Sequence, residues 1–145
     1  MTSAQLDDVD RTLLSRFQNR ELTHAEWTHA MHIRMGWIHV RLHGFDEALV
    51  AMRRLIPRLN DSHGVPNSDK EGYHETLTRL WLALIAHADA SGDVHAESSE
   101  AFLARHPEML DKELPLRFYT RGHLMSVEAR LAWAEPDVEA LPASV

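Results

Sequence analysis

The chain has 145 residues, 44% hydrophobic and 26% charged, a balance typical of one globular domain long enough to bury a core without staples. It has no cysteine, which excludes disulfides, thiolate catalysis and Cys-ligated zinc. A net charge of −7 with no long basic block argues against nucleic-acid binding, and no apolar run approaches the roughly 18–20 residues that span a bilayer. Eleven histidines, half the number of Asp plus Glu, are the anomaly.

Residues 4–20 read as a first helix, with Leu6, Val9, Leu13 and Phe17 at helical spacing and Asp7, Asp8 and Asp10 at the end that favours negative charge. The acidic, polar start lacks the basic-then-apolar pattern of a signal peptide, so a cytoplasmic location is the default expectation. Thr23 and Glu26 form a capping-box pattern ahead of a second helix over 24–43, although Glu26-x-x-His29 also reads as a ligand pair. Along that helix His29, His32, His39 and His43, with Gly36 between them, fall within an arc of about 80°. Apolar residues flank the stripe on both sides, so it should point inward or into a cleft. His29 and His43 lie more than about 20 Å apart at 1.5 Å per residue, too far to share one ion. His39 and His43 are therefore expected to line the cleft or satisfy buried polar groups, and His24, His87, His95 and His106 to be ordinary surface or hydrogen-bonded residues.

Gly44 suits a helix stop, and a third helix over 45–59 follows, with Pro57 placed to end or bend it. Residues 60–72 form a long polar connection containing His63, Gly64, Pro66 and Gly72, a length often functional or disordered. A fourth helix over 71–90 would place His74 in an inward row with Thr78, Trp81 and Ile85. A helix over 94–105, short pieces around Pro107 and Pro115, a last helix over 126–134 and a proline-spaced extended tail over 135–145 complete a single all-α domain of five to seven helices.

Imidazole and carboxylate are good ligands for Zn²⁺, Fe²⁺ or Mn²⁺, and spacings of three or four let one helix supply two of them. The expected site joins His29 and His32 to His74 and Glu75, with Glu75 a fourth ligand or general base and His63 a ligand or proton shuttle. Paired Glu26-x-x-His29 and Glu71-x-x-His74 raise a dinuclear alternative, but Glu47, Glu97 and Glu100 are the only remaining candidates for its other ligands. The expected protein is a metal-dependent enzyme acting on a small molecule by hydrolytic, lyase or oxygen chemistry. The alternatives are a metal-free, His-lined pocket for an acidic small molecule or for acid–base work, and an interaction module whose histidines are merely buried. A homodimer remains open, and no membrane partner is expected.

Residues 25–142 also carry Trp27-Thr28-His29 followed by Met31-His32 and Trp37, then His63-Gly64, then Tyr73-His74-Glu75-Thr76-Leu77-Thr78 with Trp81, and finally Glu128-Ala129-Arg130 with Trp133, Glu135, Pro136 and Asp137. This pattern resembles a little-characterised family of small bacterial all-α proteins. The resemblance implies that His29, His32, His63, His74 and Glu75 are the residues of interest, and it brings no substrate with it.

Overall fold

A computed structural model describes residues 6–91 and 96–142. Among these the chain is all-helical with no strand, as its periodicity predicts: α1 (Asp8–Gln18), α2 (His29–Ser62), α3 (Glu75–Ala90), α4 (Ser99–Arg105), α5 (Arg121–Leu124) and α6 (Val127–Leu131). Two 3-10 turns, Pro107–Leu110 and Leu114–Arg117, connect α4 to α5. No described helix is long and apolar enough to cross a membrane.

α2 and α3 form the central pair, and the other elements pack around them. Gly44 breaks α2 into two arms by taking a left-handed φ of 81°, which a side chain would resist, so the expected stop is a kink within one long element. The second arm passes Pro57 without ending and runs on to Ser62, beyond the expected boundary at 59. At Gly36 the two central helices come close. A Cβ there would lie 2.8 Å from Ile85 Cδ1 and 3.4 Å from Leu82 Cδ2, so the missing side chain lets α3 approach α2. Trp37, Met35, Ile38, Leu59, Leu80 and Ile85 fill the core between and behind them.

The capping box at Thr23 and Glu26 forms, with Glu26 N–H donating to Thr23 Oγ1 and Thr23 N–H to Glu26 Oε1, at 3.2 and 2.9 Å. It closes a turn rather than opening a helix, because α2 begins five residues later under Thr28, whose side chain caps Met31 N–H. Glu26 also holds Arg16 through two bonds of 2.7 and 2.9 Å.

The polar connection after α2 is folded around one side chain. Asn67 Oδ1 accepts from Asn60 and from Tyr73 N–H, each at 3.0 Å, and its amide donates to Pro57 O and to Asp61. Gly72, at φ 81°, packs so closely that an added Cβ would meet Pro66 O at 2.2 Å. This ordering delays the start of α3 to Glu75, so residues 71–74 are not the first turn of a helix.

α1 and α4 are tied through a buried carboxylate. Asp10 is fully buried and accepts from Ser99 N–H at 2.7 Å and Ser99 Oγ–H at 2.6 Å. Arg34 donates to the same Ser99 hydroxyl at 2.8 Å, so α2 joins the cluster. Removing the carboxylate would strand a buried backbone N–H, a hydroxyl and a neighbouring guanidinium. Asp10→Ala is therefore expected to cost about 2–4 kcal/mol, read as a lower midpoint in urea unfolding with an unchanged denaturant slope. A loss below about 0.5 kcal/mol would show that the cluster does not hold α4 in place.

A candidate small-molecule cavity between α2 and α3

The space between the two arms of α2 and α3 holds a cavity of about 510 Å³. That lies within the range of small-molecule sites, roughly 300–1,000 Å³. Its apolar wall is made by Trp27, Ile33, Met52, Ile56, Leu77, Trp81, Leu82 and Ile85, with Gly36 between the two helices. Its polar positions are Thr28, His29, His32, Asn60, Tyr73, His74 and Thr78, with His24 and Lys112 exposed. Val65 and Gly72 come from the ordered connection, whose place in the site sequence reading anticipated only through its length.

His29 and His32 stand one helical turn apart on this wall. His29 Nε2 lies 2.8 Å from Met109 O, and His32 Nδ1 lies 2.7 Å from Thr28 O. A carbonyl only accepts, so each bonded nitrogen carries the proton and the opposite flank of each ring carries a lone pair. The ring of His32 lies on Trp27 with centroids 3.7 Å apart, and that of His29 meets Trp81 edge-on at 4.9 Å. Burial pushes both histidines below the ordinary imidazole range, His32 to about 4. Their bonds to carbonyls oppose this shift but do not reverse it.

His74 lines the same cavity in a different state. It is the N-cap of α3, with extended backbone at φ −134° and ψ 109°, and its Nδ1 accepts from Leu77 N–H at 3.1 Å. Its Nε2–H donates to Leu124 O at 3.0 Å. Both nitrogens are engaged, and a nitrogen that accepts a backbone hydrogen has no lone pair left for a metal. Glu75, the first residue of α3, is turned to Arg53, at 2.8 and 2.5 Å, and to the Tyr73 hydroxyl at 2.8 Å. Arg53 and Tyr73 hold its carboxyl below the usual range against an opposing effect of burial. Tyr73 in turn is pushed up, first by burial and then by the bond to Glu75.

The expected ligand set is therefore not assembled. His29 and His32 share the cavity with lone pairs available, whereas His74 caps a helix and Glu75 anchors Arg53 and Tyr73. Among the described residues no group of three or more His, Asp or Glu side chains is arranged to hold an ion. Two nitrogens fall short of the three protein ligands of a catalytic zinc site, so no chemistry is routed through a metal here. The Glu-x-x-His pairs dissolve for the same reason, Glu26 being bound to Arg16 and the Thr23 turn.

His63, expected as ligand or proton shuttle, lies outside the cavity lining. It ends α2, with Nε2–H donating to Leu22 O at 2.7 Å, while its buried Nδ1 has no partner among the described residues. His39 is buried against Phe17, with Nδ1–H on Met35 O at 2.7 Å, and does not line the cavity; His43 is exposed. His24 and His87 are exposed, His106 is partly covered by Phe102, and His95 lies outside the described residues. Thr28, Asn60, Tyr73 and Lys112 are cavity residues that a search for metal ligands passes over. For Asn60 the one available signal was a buried amide on an otherwise apolar helix face.

Comparison with protein-family models, with curated proteins and with solved structures gives no match.

Four histidines, His29, His32, His39 and His74, are all pushed down, each first by burial. A group whose folded pKa lies below its unfolded value of about 6.5 stabilises the fold at neutral pH and loses that contribution as pH falls through the interval between the two. Glu26, lowered to about 2, gives way only below its ordinary value of 4.5. Between pH 7 and pH 5 the histidines therefore dominate, and the thermal midpoint should fall by about 5 °C or more. His32→Gln should lose less over the same interval, and a flat wild-type profile in calorimetry would contradict the assignment of neutral, buried imidazoles.

Proposed function

We propose that this protein binds a small organic molecule in the cavity between α2 and α3, as a metal-free site lined by histidine. The observation that carries this reading is the unequal use of the ring nitrogens on one cavity wall. His29 and His32 each place one nitrogen on a backbone carbonyl and keep the other as an acceptor. An acceptor on the wall of an open cavity can take a hydrogen bond from a ligand in place of water, so the wall is matched to a ligand with an O–H or N–H donor. Trp81, with Ile33, Leu77 and Ile85, offers apolar surface beside those acceptors, whereas the Trp27 ring is stacked between His32 and Phe17, so the wall suits an apolar body.

The same arrangement supports proton transfer to or from a bound ligand only if binding restores basicity to the depressed imidazoles. The reading therefore rests on recognition. His32, stacked on Trp27 at van der Waals distance and held by Thr28 O, is the residue that sets the donor position, and Tyr73 is held in the lining by Glu75.

A planar donor and its methylated partner test this directly. 2-Naphthol should bind the wild-type protein in calorimetric titration, and 2-methoxynaphthalene, which has no donor, should bind more weakly by about 1 kcal/mol, roughly fivefold. Leu77→Trp, which fills the cavity from a partly exposed wall position, should abolish binding of both while retaining a cooperative thermal transition. Failure of 2-naphthol to bind, or equal binding to Leu77→Trp, would overturn the reading. So would stoichiometric Zn, Fe or Mn in tag-free protein that disappears in His32→Gln.

A further inference from the structure

The charge inventory of the cavity is opposite to that of the chain. The protein has 22 Asp and Glu against 15 Lys and Arg, yet among the described residues the cavity lining contains no carboxylate and one lysine, Lys112. The carboxylates nearest the wall do not line it, although the charge of Asp111 acts on His29 in opposition to that of Lys112. Glu26 pairs with Arg16, Glu75 with Arg53 and Tyr73, and Asp111 accepts from Glu113 N–H at 2.9 Å. Lys112 makes no ion pair or hydrogen bond among the described residues. It lies two residues after the 3-10 turn whose Met109 carbonyl receives His29, in the cavity lining and exposed.

We infer that the natural ligand of this cavity is an organic anion, an apolar acid whose negative group pairs with Lys112 while its body lies against Ile33, Leu77, Trp81 and Ile85. This rests on the small-molecule reading above and adds the sign of the ligand's charge. A cationic ligand would meet Lys112 with no carboxylate in the described lining to receive it, and a neutral one would leave the charged residue of that lining unused. In a protein of net charge −7 an anion is repelled by the surface as a whole, so a local cation at the mouth is what makes its entry favourable. The donor preference set by His29 and His32 is a separate demand on the same ligand, which makes a hydroxylated aromatic acid the best match.

The test compares 6-hydroxy-2-naphthoate with 6-hydroxy-2-naphthamide, which have nearly the same shape and the same hydroxyl and differ in charge. The naphthoate should bind wild-type protein about fivefold or more tightly than the amide at low ionic strength, a preference that shrinks as salt is raised. Lys112→Glu, at an exposed position that leaves the core untouched, should erase or invert the ratio of naphthoate to amide affinity, with a cooperative thermal transition retained. If the amide binds as well as the naphthoate, or the preference survives in Lys112→Glu, the anion inference fails while the cavity reading stands. If neither compound binds, both fail.

Discussion

The two hydrogen bonds of His74 fix the geometry on which the cavity depends. One nitrogen accepts from Leu77 N–H and so starts α3, and the other donates to Leu124 O at the end of α5, fifty positions along the chain. Capping side chains of this kind replace a bond that the first turn of a helix lacks, and here the cap also carries a tertiary link. With α3 started at Glu75, the Glu75 carboxylate falls where Arg53 of α2 and Tyr73 can reach it. Thr76 is buried beside it and bridges to the chain after α6, donating to Ala132 O and accepting from Ala134 N–H, each at 3.0 Å. The stretch from Tyr73 to Thr76 is thus a joint in which His74, Glu75 and Thr76 bond three different partner segments.

That joint sets one end of the α2–α3 gap, and Gly36 sets the other. Two helices in contact normally lie 8–10 Å apart, with side chains filling the interface. Gly36 allows Ile85 and Leu82 to press against the α2 backbone, while Trp27 and Trp81 line the cavity nearer the start of α2. Core residues would ordinarily close such a space at the packing density of protein interiors. Here its lining carries two tryptophans and four imidazoles beside the aliphatic side chains.

Much of the scaffold was legible in the sequence, because its signals are local. The helical class, the break at Gly44, the Asp7 end of α1 and the pairing of Thr23 with Glu26 follow from spacing and capping chemistry over a few residues. The candidate site was legible only as a neighbourhood. His29, His32 and His74 do meet at one cavity, yet their roles diverge because the partners of their rings come from Met109, Thr28 and Leu124. Two of those three carbonyls are fifty or more residues away and belong to short elements with weak periodicity. The start of α3 was misplaced for a related reason. Asn67 orders the preceding connection through bonds to Asn60, Asp61, Pro57 and Tyr73, and nothing in the helical pattern of 73–90 records that constraint.

The abundance of histidine then has a physical explanation that metal binding does not require. His29, His63, His74 and His123 each donate Nε2–H to a carbonyl distant in sequence, at Met109, Leu22, Leu124 and Glu135. These acceptors lie in turns, 3-10 segments, a helix end and the tail, where no regular ladder supplies a backbone partner, and a buried carbonyl without one is costly. A neutral imidazole suits the task because it couples one donor to one acceptor across a rigid ring, so donating to a carbonyl also fixes the tautomer. What separates the structural histidines from the candidate functional ones is the surroundings of the second nitrogen. In His74 it caps a helix, in His63 it is enclosed, and in His29 and His32 it belongs to rings that face the cavity. The same side-chain device that stitches irregular segments to the central pair thereby supplies the acceptors of the site, which is why fold and function draw on the same residues in this chain.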